Sequence, residues 1–132
     1  MDEKKLSGAG IFLRNDKGEY LLQLRDDHVY DGGNWGLFGG GIEEDEDPEV
    51  CIVREIKEEI DFDLKVFKKV DEYDNSETVK TYIFLGKIDK PLEELKLLEG
   101  KDFGFFSTQK MQDISLTKNV RLYVDKIDGF DI

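Results

Sequence analysis

Three glutamates, Glu55, Glu58 and Glu59, fall within five residues of one another in the stretch WGLFGGGIEEDEDPEVCIVREIKEEIDF, Trp35 to Phe62. Asp47 suits a helix N-cap and Pro48 the first helical position, where a missing N–H is harmless. Winding a helix from there at about 100° per residue puts Ile52, Val53, Ile56 and Ile60 on one stripe. Glu55, Glu58 and Glu59 fall on the other side, within a turn of each other. Like charges at that spacing repel, and the C-terminal end of a helix favours cations, so stability alone would place Lys or Arg there. A divalent cation relieves the repulsion. Clustered carboxylates suit Mg²⁺, which keeps several waters and binds substrate phosphates beside a few protein oxygens. The competing reading is a solvated acidic face. A glycine-rich loop directly upstream, with Gly36, Gly39, Gly40 and Gly41, weighs against it.

The rest of the chain must position that helix and loop. Ser7 to Arg14, with Ile11, Phe12 and Leu13, reads as a strand, Asn15-Asp16-Lys17-Gly18 as a turn, and Glu19 to Arg25 as a second strand of the same hairpin. Asp26 to Asn34 is a polar loop carrying the lone His28 and Tyr30. Beyond the helix, Phe62 to Tyr73 alternates and reads as a long strand bulged near Val66. Asp74 to Glu77 is a turn, and Thr78 to Ile88 is the most apolar strand, expected to be buried on both faces. A connector from Lys90-Pro91 to Leu98 leads to a short strand, Phe103 to Phe106. Ser107 caps a short helix ending at Met111. Leu116 to Ile127 forms a terminal amphipathic helix with Val120, Val124 and Ile127 inward. Strands interleaved with helices predict an α/β architecture, a mixed sheet sandwiched by helices, in one domain spanning residues 1–132.

The chain has 132 residues, 39% of them hydrophobic, and a net charge of −12. Nucleic-acid backbones repel so acidic a surface. A phosphate substrate is held only where a cation, or local Arg and Lys, offsets the field. The single cysteine, Cys51, excludes an internal disulfide and reads as a small packing residue. The start MDEKKLSGAG has no apolar signal-like core, and no apolar run is long enough to span a membrane, so a cytoplasmic protein is expected.

On these residues the sequence resembles the Nudix hydrolases of the MutT type. Their signature falls on Gly40, Glu46, Arg54, Glu55, Ile56, Glu58, Glu59 and Phe62, a span of 23 residues. Asp61 stands where the family has Gly, just past the helix. Asp tolerates the left-handed conformation better than most residues, so a strained or differently closed helix end is expected. Phe38 replaces a Pro, and Asp45 a Gly. The resemblance implies an α/β/α Nudix fold over essentially the whole chain and hydrolysis of a nucleoside diphosphate linked to a moiety X. It implies Mg²⁺, or Mn²⁺ in its place, held by Glu55, Glu58, Glu59 and the Gly39 carbonyl. Glu58 and Glu59 are then catalytic, and Glu99, in the loop before Gly100, supplies a further metal-binding or base carboxylate. Glu46 and Arg54 form a structural ion pair, and Glu43 is either a further acid of the site or a loop-closing residue. Arg25, Phe38, Gly40 and Asn119 are implied to bind substrate, Asn119 by pairing with a purine edge. Capping of the terminal helix is the plainer reading of Asn119. Trp35 and Tyr82 pack or wall a nucleobase pocket, and Phe103, Phe105 and Phe106 are core. Many relatives are dimers, so a homodimer is implied by analogy.

Within this frame the favoured substrate is a nucleoside triphosphate, an oxidised purine among them, yielding nucleoside monophosphate and pyrophosphate. ADP-ribose, another sugar nucleotide or a dinucleotide is the alternative, because loops outside the signature choose the substrate. A Nudix-fold module that binds nucleotides without hydrolysis conflicts with retention of all three glutamates. Removal of mRNA caps conflicts with the net charge of −12. A merely acidic interaction domain leaves the glycine spacing unexplained.

Overall fold

Apolar side chains alternate along the central strands and so build two cores, one on each face of a single mixed sheet. The computed structural model describes residues 6–76 and 79–132. In chain order it has β1 (Leu6–Arg14), β2 (Tyr20–Leu24), β3 (Trp35–Gly36), β4 (Phe38–Gly41), α1 (Pro48–Ile60), β5 (Phe67–Ser76), β6 (Val79–Lys87), β7 (Asp102–Phe106), α2 (Thr108–Met111) and α3 (Lys118–Tyr123). Strand β1 is central. One edge pairs in parallel with β6 from Leu6↔Val79 to Arg14↔Lys87, and β6 pairs antiparallel with β5. The other edge pairs with β4 over Gly8–Ile11 and then with β2 at Leu13 and Arg14. Strand β2 carries β3 and β7.

Because successive strand residues face opposite ways, Ile11, Leu13, Leu21, Phe38 and Phe84 join Ile52, Ile56 and Ile60 beneath α1. Phe12, Tyr20, Leu22, Leu37, Ile83 and Leu85 join Met111, Val120, Tyr123 and Val124 on the α2–α3 face. The helix–sheet–helix sandwich is therefore as expected. So is the burial of Ile83, Phe84 and Leu85, all fully enclosed in the strand expected to be covered on both faces. Among the described residues no helix is long and apolar enough to cross a membrane.

Several boundaries differ from the sequence reading. The glycine stretch is not a free loop, because Phe38–Gly41 is recruited as a strand by β1. Residues 61–66 are not strand, and β5 starts at Phe67, with register shifts between Lys69 and Asp71 and between Asp74 and Ser76 rather than near Val66. Phe62 and Leu64 instead drop into the α1 core, which accounts for the alternation that mimicked a strand. Strand β5 continues to Ser76, and the rest of the expected turn, Glu77, lies outside the described residues, as does Thr78. Ser107 caps α2 as expected, its Oγ accepting from the Lys110 N–H at 3.1 Å. The terminal helix is shorter than expected, ending at Tyr123, and a separate helical turn follows at Ile127–Gly129.

Helix α1 begins at Pro48, and Asp47 has the extended backbone of an N-cap without a side-chain capping bond. Its buried face is Cys51, Ile52, Ile56, Glu59 and Ile60. Val53 was expected on that stripe but is 37% exposed, and Glu59, expected outside, lies within it. The helix closes on Asp61 in the left-handed conformation (φ 53°), its N–H donating to the Lys57 carbonyl. Lys57 Nζ reaches Asp61 Oδ1 at 2.9 Å and Asp63 Oδ1 at 3.1 Å, an exposed arrangement worth little energetically. Asp61→Gly should therefore be at least as stable as the parent, while Asp61→Val should lose about 1–2 kcal/mol in urea unfolding, since a β-branched residue resists this conformation. An unchanged midpoint in Asp61→Val would show that the helix can close another way.

Candidate active site

The site forms where β4 runs beside the last two turns of α1. Gly39 has φ 147°, and a Cβ there would sit 2.0 Å from the Ala9 carbonyl oxygen, so only glycine lets β4 approach β1 this closely. At Gly40 a Cβ would lie 2.5 Å from the Glu55 carboxylate. The missing side chains leave room for two acids. Glu59, 2% exposed, places Oε1 2.8 Å from the Gly39 N–H and Oε2 3.4 Å from Gln23 Nε2. Gln23 is itself buried, and its Nε2 also donates to the Leu37 carbonyl at 3.1 Å. Glu55 packs against Gly40 and accepts from Arg54 Nη1 at 3.1 Å.

Arg54 ties the acidic turn to the helix. Its Nε and Nη2 meet the two Glu46 oxygens at 2.7 and 2.9 Å, and Nη2 donates to the Gly41 carbonyl at 3.2 Å. The guanidinium beside it draws the Glu46 carboxyl down to about 2. Arg54 and Glu46 thus form the ion pair the sequence implied, and Arg54 Nη1 extends towards Glu58 at 3.4 Å and Glu43 at 3.6 Å. Glu43 remains on the rim, exposed, its own N–H closing the turn onto Glu46.

Glu99 arrives from a connector that is fastened to the end of α1, where the Leu98 N–H donates to the Glu59 carbonyl at 2.8 Å. It lies near enough to Glu55 and Glu59 for its charge to act on both. Burial, opposed by the Gly39 N–H and reinforced by Glu55 and Glu99, pushes Glu59 up to about 8. Glu55 is raised for the same first reason, burial, with Arg54 opposing it and Glu58 and Glu99 adding to it. Cys51 is fully buried beside the Gly40 and Gly41 carbonyls, and burial raises its thiol to about 12, as suits a packing residue.

The expected carboxylates are thus brought to one edge of β4, though not symmetrically. Glu55, Glu59 and Glu99 crowd together, whereas the Glu58 side chain is 56% exposed and turned to Arg54. Among the described residues no three acids, imidazoles or thiols are gathered closely enough to cage a metal as they stand. The donor set nonetheless fits a hard divalent cation. It is all oxygen, half-buried, and carries more negative charge than Arg54 offsets, which is the condition burial and mutual repulsion report at Glu59 and Glu55.

A cavity of ≈ 520 Å³ opens on the other side of the same glycines. Gly8, Gly10, Gly36, Gly39 and Gly40 line it without side chains, Arg25, Tyr30 and Asp31 form one wall, and Thr117, Lys118 and Asn119 the other. Arg25 and Asn119, implied by the resemblance to bind substrate, both line this cavity. Arg25 Nε donates to the Tyr30 carbonyl at 3.0 Å. Asn119 is not a cap, because Thr117 holds the N-cap position of α3, and its Oδ1 accepts from the Tyr73 hydroxyl. Phe38 borders the cavity, but its ring is fully buried among the α1-side core residues, so it is a packing residue rather than a substrate contact. Trp35 packs edge-on against Phe106, with ring centroids 4.8 Å apart, and neither it nor Tyr82 lines the cavity. Gln23, Tyr30, Asp31 and Thr117 were not anticipated. Gln23 had a readable signal, a polar residue inside the apolar strand YLLQL.

A NUDIX domain family model matches residues 4–123. The chain is 42% identical over 63 residues to an RNA pyrophosphohydrolase of Gluconacetobacter diazotrophicus, a match covering 44% of this chain and 38% of that protein. It is 37% identical over 65 residues to an 8-oxo-dGTP diphosphatase of Proteus vulgaris, covering 48% and 57%. The matched segment therefore spans roughly half or less of these curated relatives. A MutT NUDIX hydrolase structure from Burkholderia pseudomallei superimposes with a TM-score of 0.80 at 24% identity, over 95% of this chain and 99% of that one, a likeness of fold.

The Glu59 shift has a consequence for the metal-free protein. The unfolded chain releases this proton near 4.5, the folded protein near 8. The stabilisation is therefore complete below the lower value and lost as pH rises through the upper one. Glu59→Gln cannot ionise and keeps an acceptor for the Gly39 N–H. In the presence of chelator the parent should lose a few kcal/mol more than this variant between pH 5 and 8.5 in urea unfolding. Parallel stability curves for the two proteins would show that Glu59 ionises freely.

Proposed function

The chain belongs to the Nudix family, and from that premise we propose that it is a divalent-metal-dependent pyrophosphohydrolase acting on nucleoside triphosphates. One observation supports the reading: Gly39 and Gly40 line the cavity and also touch Glu59 and Glu55, so the phosphate chain of a ligand seated there would lie beside those acids across the glycine seam. A volume of ≈ 520 Å³ suits a nucleoside-sized group.

Glu55, Glu58 and Glu59 would hold Mg²⁺ or Mn²⁺, with the Gly39 carbonyl beside them. When bound, the ion neutralises phosphate charge and lowers the pKa of adjacent water. The chain's own groups do the rest. Arg25 would meet phosphate at the cavity mouth, the Gly39 N–H and Gln23 orient Glu59, and Glu99 would take the proton of the attacking water. Water adds at one phosphorus, pyrophosphate leaves, and nucleoside monophosphate remains. The name of the Proteus vulgaris relative supports an oxidised purine as one such substrate. The RNA named for the Gluconacetobacter protein suits a surface of net charge −12 less well.

The test is a pyrophosphate- and phosphate-release screen over nucleoside triphosphates, ADP-ribose and dinucleotides with Mg²⁺. The best substrate should be a nucleoside triphosphate, and chelator should abolish turnover. Glu58→Gln and Glu59→Gln should each lower kcat by about 10²-fold or more. Parent-like turnover in both variants would remove the acid cluster from the mechanism, and faster turnover of ADP-ribose would reassign the substrate.

A further inference from the structure

The two walls of the cavity come from segments far apart in sequence, and a single carboxylate joins them. The loop from Asp26 to Asn34 is pinched at its neck by backbone bonds, Arg25 N–H to the Asn34 carbonyl at 3.0 Å and Gly33 N–H to the Arg25 carbonyl at 3.1 Å. Its body carries Tyr30, 82% exposed at the cavity, and Asp31. Asp31 Oδ2 accepts from the Lys118 backbone N–H at 3.0 Å, across 87 positions of sequence, and Oδ1 accepts from Asn34 Nδ2 at 2.9 Å. Its backbone is left-handed, φ 58°, an unfavourable state for a residue with a side chain.

Helix α3 would ordinarily be capped by its own N-cap residue, Thr117. Here the Thr117 hydroxyl, on a residue 7% exposed at the cavity, has no hydrogen-bond partner, and Asp31 instead takes the first N–H of the helix, that of Lys118. The helix start is held by a long-range bond from a strained loop residue. Helix capping does not explain that bond, because an N-cap side chain serves the N–H groups of the second and third helical residues, not that of Lys118. Registration of the loop against α3 does explain it, since the bond fixes the distance between Tyr30 and Arg25 on one wall and Asn119 on the other.

We propose that Asp31 is a positioning residue for substrate selection, latching the Asp26–Asn34 loop onto α3 so that the cavity has one width and admits one shape of nucleobase. This rests on the reading of the cavity as the nucleoside site. The acids of the chemical step lie elsewhere, at the Gly39–Gly40 seam, so the latch governs recognition of the base and not that step.

Asp31→Gly tests it, because glycine accepts the same backbone conformation and leaves the Lys118 N–H to solvent. KM for the best nucleoside triphosphate should rise about tenfold with kcat within about twofold of the parent, and preference among the four bases should flatten. Asp31→Asn, which keeps an acceptor for Lys118 and tolerates the backbone, should restore most of the parent KM. Hydrogen exchange at the Lys118 amide reports the latch without any substrate, and it should be protected in the parent and fast in Asp31→Gly. Equal exchange in the two proteins would mean that no latch exists. Faster exchange with unchanged KM and base preference would mean that the latch does not select substrate. A parent that hydrolyses no nucleoside triphosphate overturns the functional reading itself, a result separable from either of these.

Discussion

The approach of β4 to the C-terminal half of α1 is the constraint on which the site depends. A carboxylate such as Glu59 does not enter a core without compensation. It is tolerated here because Gly39 turns its N–H towards one oxygen and Gln23 reaches the other. Any side chain at Gly39 would strike β1, and any at Gly40 would strike Glu55. The glycines therefore do two jobs at once, admitting β4 to the sheet and admitting two acids beside it. The remaining imbalance, burial and mutual repulsion of acids, shows in the raised Glu59 and Glu55.

The sheet makes the seam useful. Central β1 lends Gly8 and Gly10 to the cavity while its alternate residues Ala9, Ile11 and Leu13 join the core beneath α1. The same few residues thus fix the acids and the cavity in one frame. The ion pair of Arg54 with Glu46 holds the acidic turn down, so the approach to β4 is set by a bidentate bond rather than by a free loop. Recognition then falls to the walls, where one is a helix start and the other a loop.

The local signals were readable because they are local. Pro48, the Ile52–Ile56–Ile60 spacing, Ser107 as a cap and the apolar run around Phe84 each depend on neighbours a few residues away. At Asp61 the family's Gly pointed to a strained or differently closed helix end, and the helix closes there in the left-handed conformation that Gly would adopt. Misreadings arose where tertiary pairing overrode local pattern. Phe38–Gly41 looks like a loop until β1 supplies its hydrogen bonds, and Phe62 and Leu64 alternate like a strand because they fill the core beneath α1. Helical periodicity put Glu59 on the outside, since no pattern reveals that Gly39 and Gln23 will satisfy it. Asp31 gave no signal at all, because its partner is 87 residues away and is a backbone N–H.

The charge of the whole molecule sets the order in which ligands can come together. At −12 overall, the surface opposes a polyphosphate at long range. Arg25 and Lys118 at the cavity are local offsets, while Arg54 is already engaged by Glu46 and Glu55. On the proposed reading, neither the acids nor the phosphates tolerate the other without a cation between them. Ion and substrate then strengthen each other's binding, and by linkage the coupling is equal in both directions. The acid cluster is thus a poor site for the nucleotide alone and an incomplete one for the ion alone. That matches an edge where Glu58 still leans on Arg54 and, among the described residues, no closed cage is preformed.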